Sequence, residues 1–92
     1  MTSKTVKFNP EGIKKLPNNK PVVYKILTNN GGNNYTGIAK RGRVQDRLME
    51  HLPGGKDSVP GVKVRIEQES SIKEALSKET SIISRSRPKY NK

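Results

Sequence analysis

The sequence predicts an α+β fold, a small and mainly antiparallel sheet of three strands flanked by helices. Two kinds of periodicity predict it. Apolar side chains alternate cleanly in residues 62–67, which is the pattern of a half-buried strand, and residues 21–27 and 34–39 are predicted to be two further short strands. Apolar side chains recur at helical spacing in residues 43–52 and 71–85. A polar loop with two adjacent glycines joins the first two strands and favours a β-hairpin, so the expected order is β-β-α-β-α.

Residues 1–20 are predicted to lead into this pattern as a separate segment. Residues 1–7 are expected to form a loose arm. Asn9 and Pro10 have the chemistry of an N-cap and of a first helical position, so a short helix is expected to begin there. The remaining elements lie in residues 21–92, which contain no internal repeat, and we expect a single domain there.

The same periodicity predicts which side chains face the core. In the third strand the inward positions are Val62, Val64 and Ile66. The helix over residues 43–52 has a narrow apolar row and a polar row beside it, because residues four apart lie on one face of a helix. The apolar row is Val44, Leu48 and Leu52, and the polar row is Arg43, Arg47 and His51.

Glu79 occupies an unusual position in the last predicted helix. It falls close to the centre of an apolar stripe, where water is scarce. A carboxylate there needs a cation, hydrogen-bond donors or a raised pKa. It is therefore either half of a structural ion pair with a neighbouring Arg or a metal-binding, active-site carboxylate. The stripe consists of Ile72, Ala75, Leu76, Ile82 and Ile83.

The composition restricts the chemistry that the chain can perform. It has no cysteine, which excludes disulfides, Cys-ligated zinc and thiol catalysis. A metal would need oxygen ligands, with His51 as the only imidazole. Oxygen ligands suit Mg²⁺, Mn²⁺ or Ca²⁺.

The formal net charge of +11 predicts a polyanionic partner. DNA or RNA fits best, because neutralising phosphates releases counterions. A membrane partner is not expected, since no basic amphipathic helix with bulky apolar anchors is visible and no apolar run is long enough to span a bilayer. The N-terminus lacks the apolar core of a signal peptide, and we expect a cytoplasmic protein.

Polar residues in these elements occur in an order that resembles the GIY-YIG nuclease superfamily. Val22-Val23-Tyr24 stands where the first name motif would be, and Tyr35-Thr36-Gly37 where the second would be. The run Arg47-Leu48-Met49-Glu50-His51 matches an R-x-x-x-H helix, and Glu79 matches the metal-binding carboxylate. The run Pro88-Lys89-Tyr90-Asn91 matches a C-terminal P-x-x-N motif. The resemblance extends over about three quarters of the chain. The first motif keeps only its tyrosine, and the stretch between Gly37 and Arg47 is longer than in many members.

The resemblance implies a metal-dependent endonuclease that hydrolyses phosphodiester bonds, with DNA as the expected substrate and Mg²⁺ or Mn²⁺ held by Glu79. Arg47 would bind a phosphate oxygen. Tyr24, Tyr35 and His51 would orient or deprotonate the water. The resemblance gives the role of base to Tyr24, whereas the residues themselves do not decide between Tyr24 and His51. Further contacts to nucleic acid are expected from Lys40, Arg41, Arg43, Arg85, Arg87, Lys89 and Asn91.

Each of these residues also has a plain structural interpretation. The tyrosines could be ordinary sheet aromatics, Arg47 a solvated helix residue, and His51 a helix-end imidazole favoured by the dipole. Two other functions therefore stay open: a non-catalytic nucleic-acid-binding module on the same fold, and a small basic adaptor for ribosomes or proteins. Substrate specificity would come from loops, from a homodimer partner or from a larger complex.

Overall fold

The computed structural model describes residues 3–52, 54–56 and 58–86 of the chain. Within these residues four strands form one antiparallel sheet in the order β1-β4-β2-β3, with β2 and β3 joined as a hairpin. The predicted α+β class and the adjacency of the hairpin strands are confirmed, but the sheet has four strands rather than three. The elements are β1 (Ser3–Lys7), α1 (Pro10–Lys14), β2 (Val22–Leu27), β3 (Asn33–Ala39), α2 (Val44–Glu50), β4 (Lys63–Gln68) and α3 (Ile72–Ser86).

The additional strand is β1, and the prediction of a loose arm is wrong for Ser3–Lys7. It pairs with β4 from Ser3 opposite Glu67 to Lys7 opposite Lys63. Val6 is its only apolar residue and packs against the core. A single apolar position gives no period-two pattern, so the strand is specified by backbone pairing to β4 and not by its own side chains.

Helices cover the two faces of the sheet unequally. α1 and α2 enclose the larger core with the face that carries Tyr24, and α3 packs on the other face against β2 and β3. Val23 faces α3, because successive side chains of a strand point to opposite faces. β3 is an edge strand of the sheet, at the opposite edge from β1.

Two apolar positions were predicted to be buried and are exposed. Val62 is 45% exposed because it precedes β4 and does not share the alternation of Val64 and Ile66, which are buried. Leu76 is 48% exposed because α3 buries a narrower stripe than expected. That stripe is centred on Ile72, Ala75 and Ile82.

The predicted cap of α1 is confirmed, and capping contacts are also present at the start of α3. The Asn9 side chain accepts a 2.7 Å hydrogen bond from the Gly12 amide, with Pro10 at the first helical position. At the start of α3, the Glu74 amide donates to Ser71 Oγ at 3.2 Å. The Glu74 carboxylate accepts from Ser70 Oγ. None of the helices formed by the described residues is long and apolar enough to span a bilayer.

Candidate active site

The β2–β3 hairpin places the two tyrosines on the same face of the sheet. Tyr24 stands opposite Gly37, and Tyr35 stands opposite Ile26, two positions from Tyr24. Alternation along each strand therefore turns both rings toward α2. Their centroids lie 6.1 Å apart with an interplanar angle of 30°. The two rings therefore lie side by side on one face of the sheet.

Gly37 leaves the space that the Tyr24 ring occupies. A Cβ at position 37 would lie 2.5 Å from the Tyr24 hydroxyl oxygen and 2.9 Å from Cε2 of Tyr35. Both distances are shorter than van der Waals contact, and Tyr24 is fully buried, so its ring cannot move aside without disturbing the core. The glycine of the Tyr-Thr-Gly motif thus has a packing role in this site.

His51 joins the tyrosines from the C-terminal end of α2. It is the C-cap residue of that helix and is fully buried. Its Nε2 and the Tyr24 hydroxyl share a 2.7 Å hydrogen bond, and its ring centroid lies 4.9 Å from that of Tyr35. The amide of Val59 donates to the His51 carbonyl, which ties the following loop to the helix end. The three side chains form one contiguous aromatic cluster.

Burial raises the pKa of the Tyr24 hydroxyl well above its usual value. The neighbouring Tyr35 raises it further, and the positive charge of Arg47 acts in the opposite direction. The Tyr24 hydroxyl therefore keeps its proton across the ordinary pH range. A protonated hydroxyl can donate to the Nε2 of a neutral imidazole, which suits the short contact with His51.

Arg47 stands between this cluster and solvent. Its side chain is 32% exposed, and its Nη1 donates a 2.7 Å hydrogen bond to Oε1 of Glu50. It lines a cavity of about 270 Å³ with two other cations, Lys40 and Arg43. Ile38 and Ala39 of β3 form the rest of the lining, so the cavity opens at the free edge of β3. Three cations around one cavity make it a suitable place for a phosphate group.

Glu79 lies on α3, the helix that packs on the sheet face opposite the one that carries the aromatic cluster. It occupies the sheet-facing stripe between Ala75 and Ile82, and it is half-buried. Burial raises the pKa of its carboxyl group. Among the described residues, no salt bridge to this carboxylate is found, so the predicted pairing with a neighbouring Arg is not seen there. The structure thus brings Tyr24, Tyr35, His51 and Arg47 together and leaves Glu79 outside that contact set.

The other predicted nucleic-acid contacts are more widely distributed. Arg41 lines a second cavity, of about 450 Å³, together with Lys20. Arg85 is exposed in the last turn of α3. The predictions for Arg87, Lys89 and Asn91 lie outside the described residues.

Two partners in the structure were not predicted from the sequence. Glu50 lies three residues after Arg47 on α2 and holds its guanidinium, a spacing that is visible in the sequence. Lys78 on α3 donates to the Glu67 carboxylate, and its Nζ lies 3.7 Å from Oε2 of Glu69, which is 4% exposed. No local spacing relates Lys78 to these two carboxylates, because they lie on β4 and just after it.

Comparison with solved structures finds a close likeness in fold. The chain matches a crystal structure of the GIY-YIG N-terminal endonuclease domain of UvrC from Thermotoga maritima, bound to its catalytic divalent cation, magnesium. The two are 27% identical with a TM-score of 0.69, over 89% of this chain and 93% of that one. No protein-family model and no curated protein matches the chain. The chain therefore has a GIY-YIG-like fold.

Proposed function

We propose that this protein is a metal-dependent endonuclease that hydrolyses phosphodiester bonds in nucleic acid, with DNA as its substrate. One observation carries the proposal. The buried Tyr24–His51 pair, the Tyr35 ring and the Arg47 guanidinium occupy one site in a GIY-YIG-like fold, beside a basic cavity. These residues would supply a side chain that acts on the attacking water and a guanidinium that binds the phosphate. The buried pair would hold both groups in place.

Glu79 would hold the divalent cation. Within the described residues no group of three or more His, Asp or Glu side chains could enclose a metal. Mg²⁺ fits a single carboxylate, since it keeps several waters and uses one or two carboxylates. The raised pKa of Glu79 indicates a desolvated carboxylate, which a cation would stabilise in its charged form. When bound, the metal would supply charge neutralisation at the scissile phosphate.

Tyr35 is the residue best placed to act on the attacking water. Tyr24 and His51 are both fully buried, and burial keeps the Tyr24 proton in place. Tyr35 is only half-buried and packs between them and the surface. We therefore assign the orientation or deprotonation of water to Tyr35, and the support of Tyr35 to the hydrogen-bonded pair behind it. This assignment differs from the role of base that the resemblance gives to Tyr24.

Arg47 would bind a non-bridging phosphate oxygen, with Lys40 and Arg43 around the same cavity. A guanidinium carries five N–H donors, so its contact with Glu50 is compatible with a phosphate contact. Glu50 fixes the direction of the group, which lowers the entropy cost of binding. Sequence preference would come from the loops around residues 28–34 and 52–61, from a second copy of the chain, or from a larger complex.

A cleavage assay over a panel of labelled DNA structures, with Mg²⁺, Mn²⁺ or EDTA, tests the proposal. Cleavage is expected with either metal and not with EDTA. The variant Glu79→Gln should abolish it, and the matched control Glu11→Gln, at an exposed carboxylate of α1, should cleave as the parent does. Salt-sensitive binding with no cleavage of any substrate would instead support a non-catalytic binding module.

A further inference from the structure

A group of cations lies on the part of the sheet that α3 leaves uncovered. α3 packs over β2 and β3, and the β1 and β4 side of the same face is exposed. Alternation along the strands brings four cationic side chains to this face. They are the exposed Lys7 on β1 and Lys63 and Arg65 on β4, together with the half-buried Lys25 at the adjoining position of β2, and we call these four residues the open sheet face.

The strand register sets like charges directly against each other. Lys7 stands opposite Lys63, and Arg65 stands opposite Lys25. Directly opposed positions hold their Cβ atoms about 4.5–5.5 Å apart, where like charges destabilise a sheet. None of the four makes a salt bridge with another described residue. Glu67, the acidic side chain on this face, is bonded to Lys78 from α3. Among the residues that the structure describes, no acidic partner therefore offsets the positive charge of these four side chains.

Protection of a sheet edge explains only one of these residues. Lysines on edge strands prevent pairing with other chains, and Lys7 lies on the edge strand β1. β4 and β2 are interior strands of the sheet. Lys63, Arg65 and Lys25 therefore cost stability without protecting an edge, which indicates that they serve a ligand.

We propose that the open sheet face binds the phosphodiester backbone of nucleic acid, as a second contact surface distinct from the Arg47 cavity. The face carries four cations and no aromatic side chain, so it would bind phosphates and not stack on bases. A second copy of this chain would bring the same positive face, and residues 87–92 add Arg and Lys, so neither complements it. The identity of the ligand rests on the proposed function, and the binding itself does not require cleavage.

A pair of matched triple variants tests this proposal. The first replaces Lys7, Lys63 and Arg65 with Gln. The second replaces with Gln three exposed lysines at the end of α1 and in α3, namely Lys14, Lys15 and Lys73. Both remove three positive charges. Affinity for a short labelled DNA duplex is measured in EDTA over a range of salt. Each lost phosphate contact lowers the slope of log affinity against log salt by about 0.9, so the first triple should lower it by roughly 2 to 3 and the second by less than about 1.

Equal losses in the two triples would overturn the proposal, because net charge alone would then explain the binding. If the first triple variant loses binding to a poly-glutamate peptide but binds DNA as the parent does, the proposal is overturned in favour of an acidic protein partner. The melting temperature of the first triple should hold or rise, since like-charge contacts are removed. Cleavage is measured separately. If the parent protein never cleaves DNA but the first triple variant loses DNA affinity, the result supports this binding surface and contradicts the proposed nuclease activity.

Discussion

Among single residues, the two motif tyrosines differ in burial, and Tyr24 is the enclosed one. Tyr24 is fully enclosed, packs over Gly37 and shares a 2.7 Å hydrogen bond with His51. Buried polar groups that lose a partner cost about 1–3 kcal/mol, so such a pair fixes its own geometry. Tyr35 is held against this pair while it stays partly open to solvent. Because only Tyr35 reaches solvent, we expect the two tyrosines to have different roles.

Phenylalanine at each position separates these tasks. Tyr24→Phe removes the hydrogen bond to His51 and should lower the free energy of unfolding by about 1–3 kcal/mol. Tyr35→Phe should leave the melting temperature almost unchanged and lower the single-turnover cleavage rate by about 10²–10⁴, the range for a lost general base. Thermal unfolding and cleavage by each variant test the assignment. Normal cleavage by Tyr35→Phe would contradict it.

Glu79 makes a prediction about stability as a function of pH. Because burial raises its folded-state pKa above the unfolded value, the folded protein binds this proton more tightly. The free energy of unfolding therefore falls as pH rises from the unfolded pKa through the folded pKa, and it stays lower above that. In EDTA, Glu79→Gln should match the parent in acid and be more stable than the parent at neutral pH. Chemical unfolding at several pH values measures the difference.

The opposite result for Glu79 has a clear meaning. If the carboxylate were half of a buried ion pair, Glu79→Gln would destabilise the protein at neutral pH by about 3–5 kcal/mol. A less stable variant that still cleaves normally per folded molecule would refute a metal-binding role. Glu11→Gln, at an exposed carboxylate, serves as the control for the loss of one negative charge.

At the scale of elements, the sheet depends on a strand with almost no apolar residues. β1 lies at the edge and covers β4, which would otherwise present its own unpaired backbone groups. Phe8 follows β1 directly, lies in the core, and its amide donates to the Val62 carbonyl at 3.0 Å. The N-terminal segment thus contributes both sheet pairing and core packing.

Deletion of residues 1–7 should lower the melting temperature and promote aggregation, because β4 becomes an exposed edge. Thermal scans and light scattering of the shortened chain measure both effects. The variant Ser3→Thr keeps the pairing of β1 with β4 and adds no large apolar side chain to the edge, so it should aggregate no more than the parent. An unchanged melting temperature after the deletion would show that β1 adds nothing to stability.

Elements with strong periodicity could be predicted from the sequence, and contacts between elements could not. Val64 and Ile66 alternate clearly, and the strand that contains them was found. The hydrogen bond from Tyr24 to His51 depends on how α2 packs across the sheet, and no local pattern encodes that distance. The exposure of Leu76 depends on which strands α3 covers. The resemblance to the GIY-YIG superfamily, and not any local pattern, predicts that both tyrosines share one site, since it places both in the motif strands.

At the scale of the whole molecule, charge acts on folding and on binding in opposite ways. The chain has 19 Lys and Arg against 8 Asp and Glu, so the excess positive charges repel one another in the folded protein. The same excess attracts a polyanion from solution. The cations around the Arg47 cavity and those of the open sheet face lie on different parts of the surface, so a nucleic acid that contacts both would neutralise much of this charge.

The two effects give opposite responses to added salt. Salt shortens the Debye length from about 10 Å at 0.1 M to about 3 Å at 1 M, which screens the repulsion among cations, so the melting temperature should rise. Affinity for duplex DNA should fall about a thousandfold or more between roughly 50 and 200 mM salt if six or more phosphates are contacted. Thermal scans and titrations in the same buffers measure both responses. A melting temperature that falls with salt would mean that ion pairs such as Lys78–Glu67 and Arg47–Glu50 outweigh the net repulsion. DNA binding that does not depend on salt would rule out phosphate contacts as the source of the affinity.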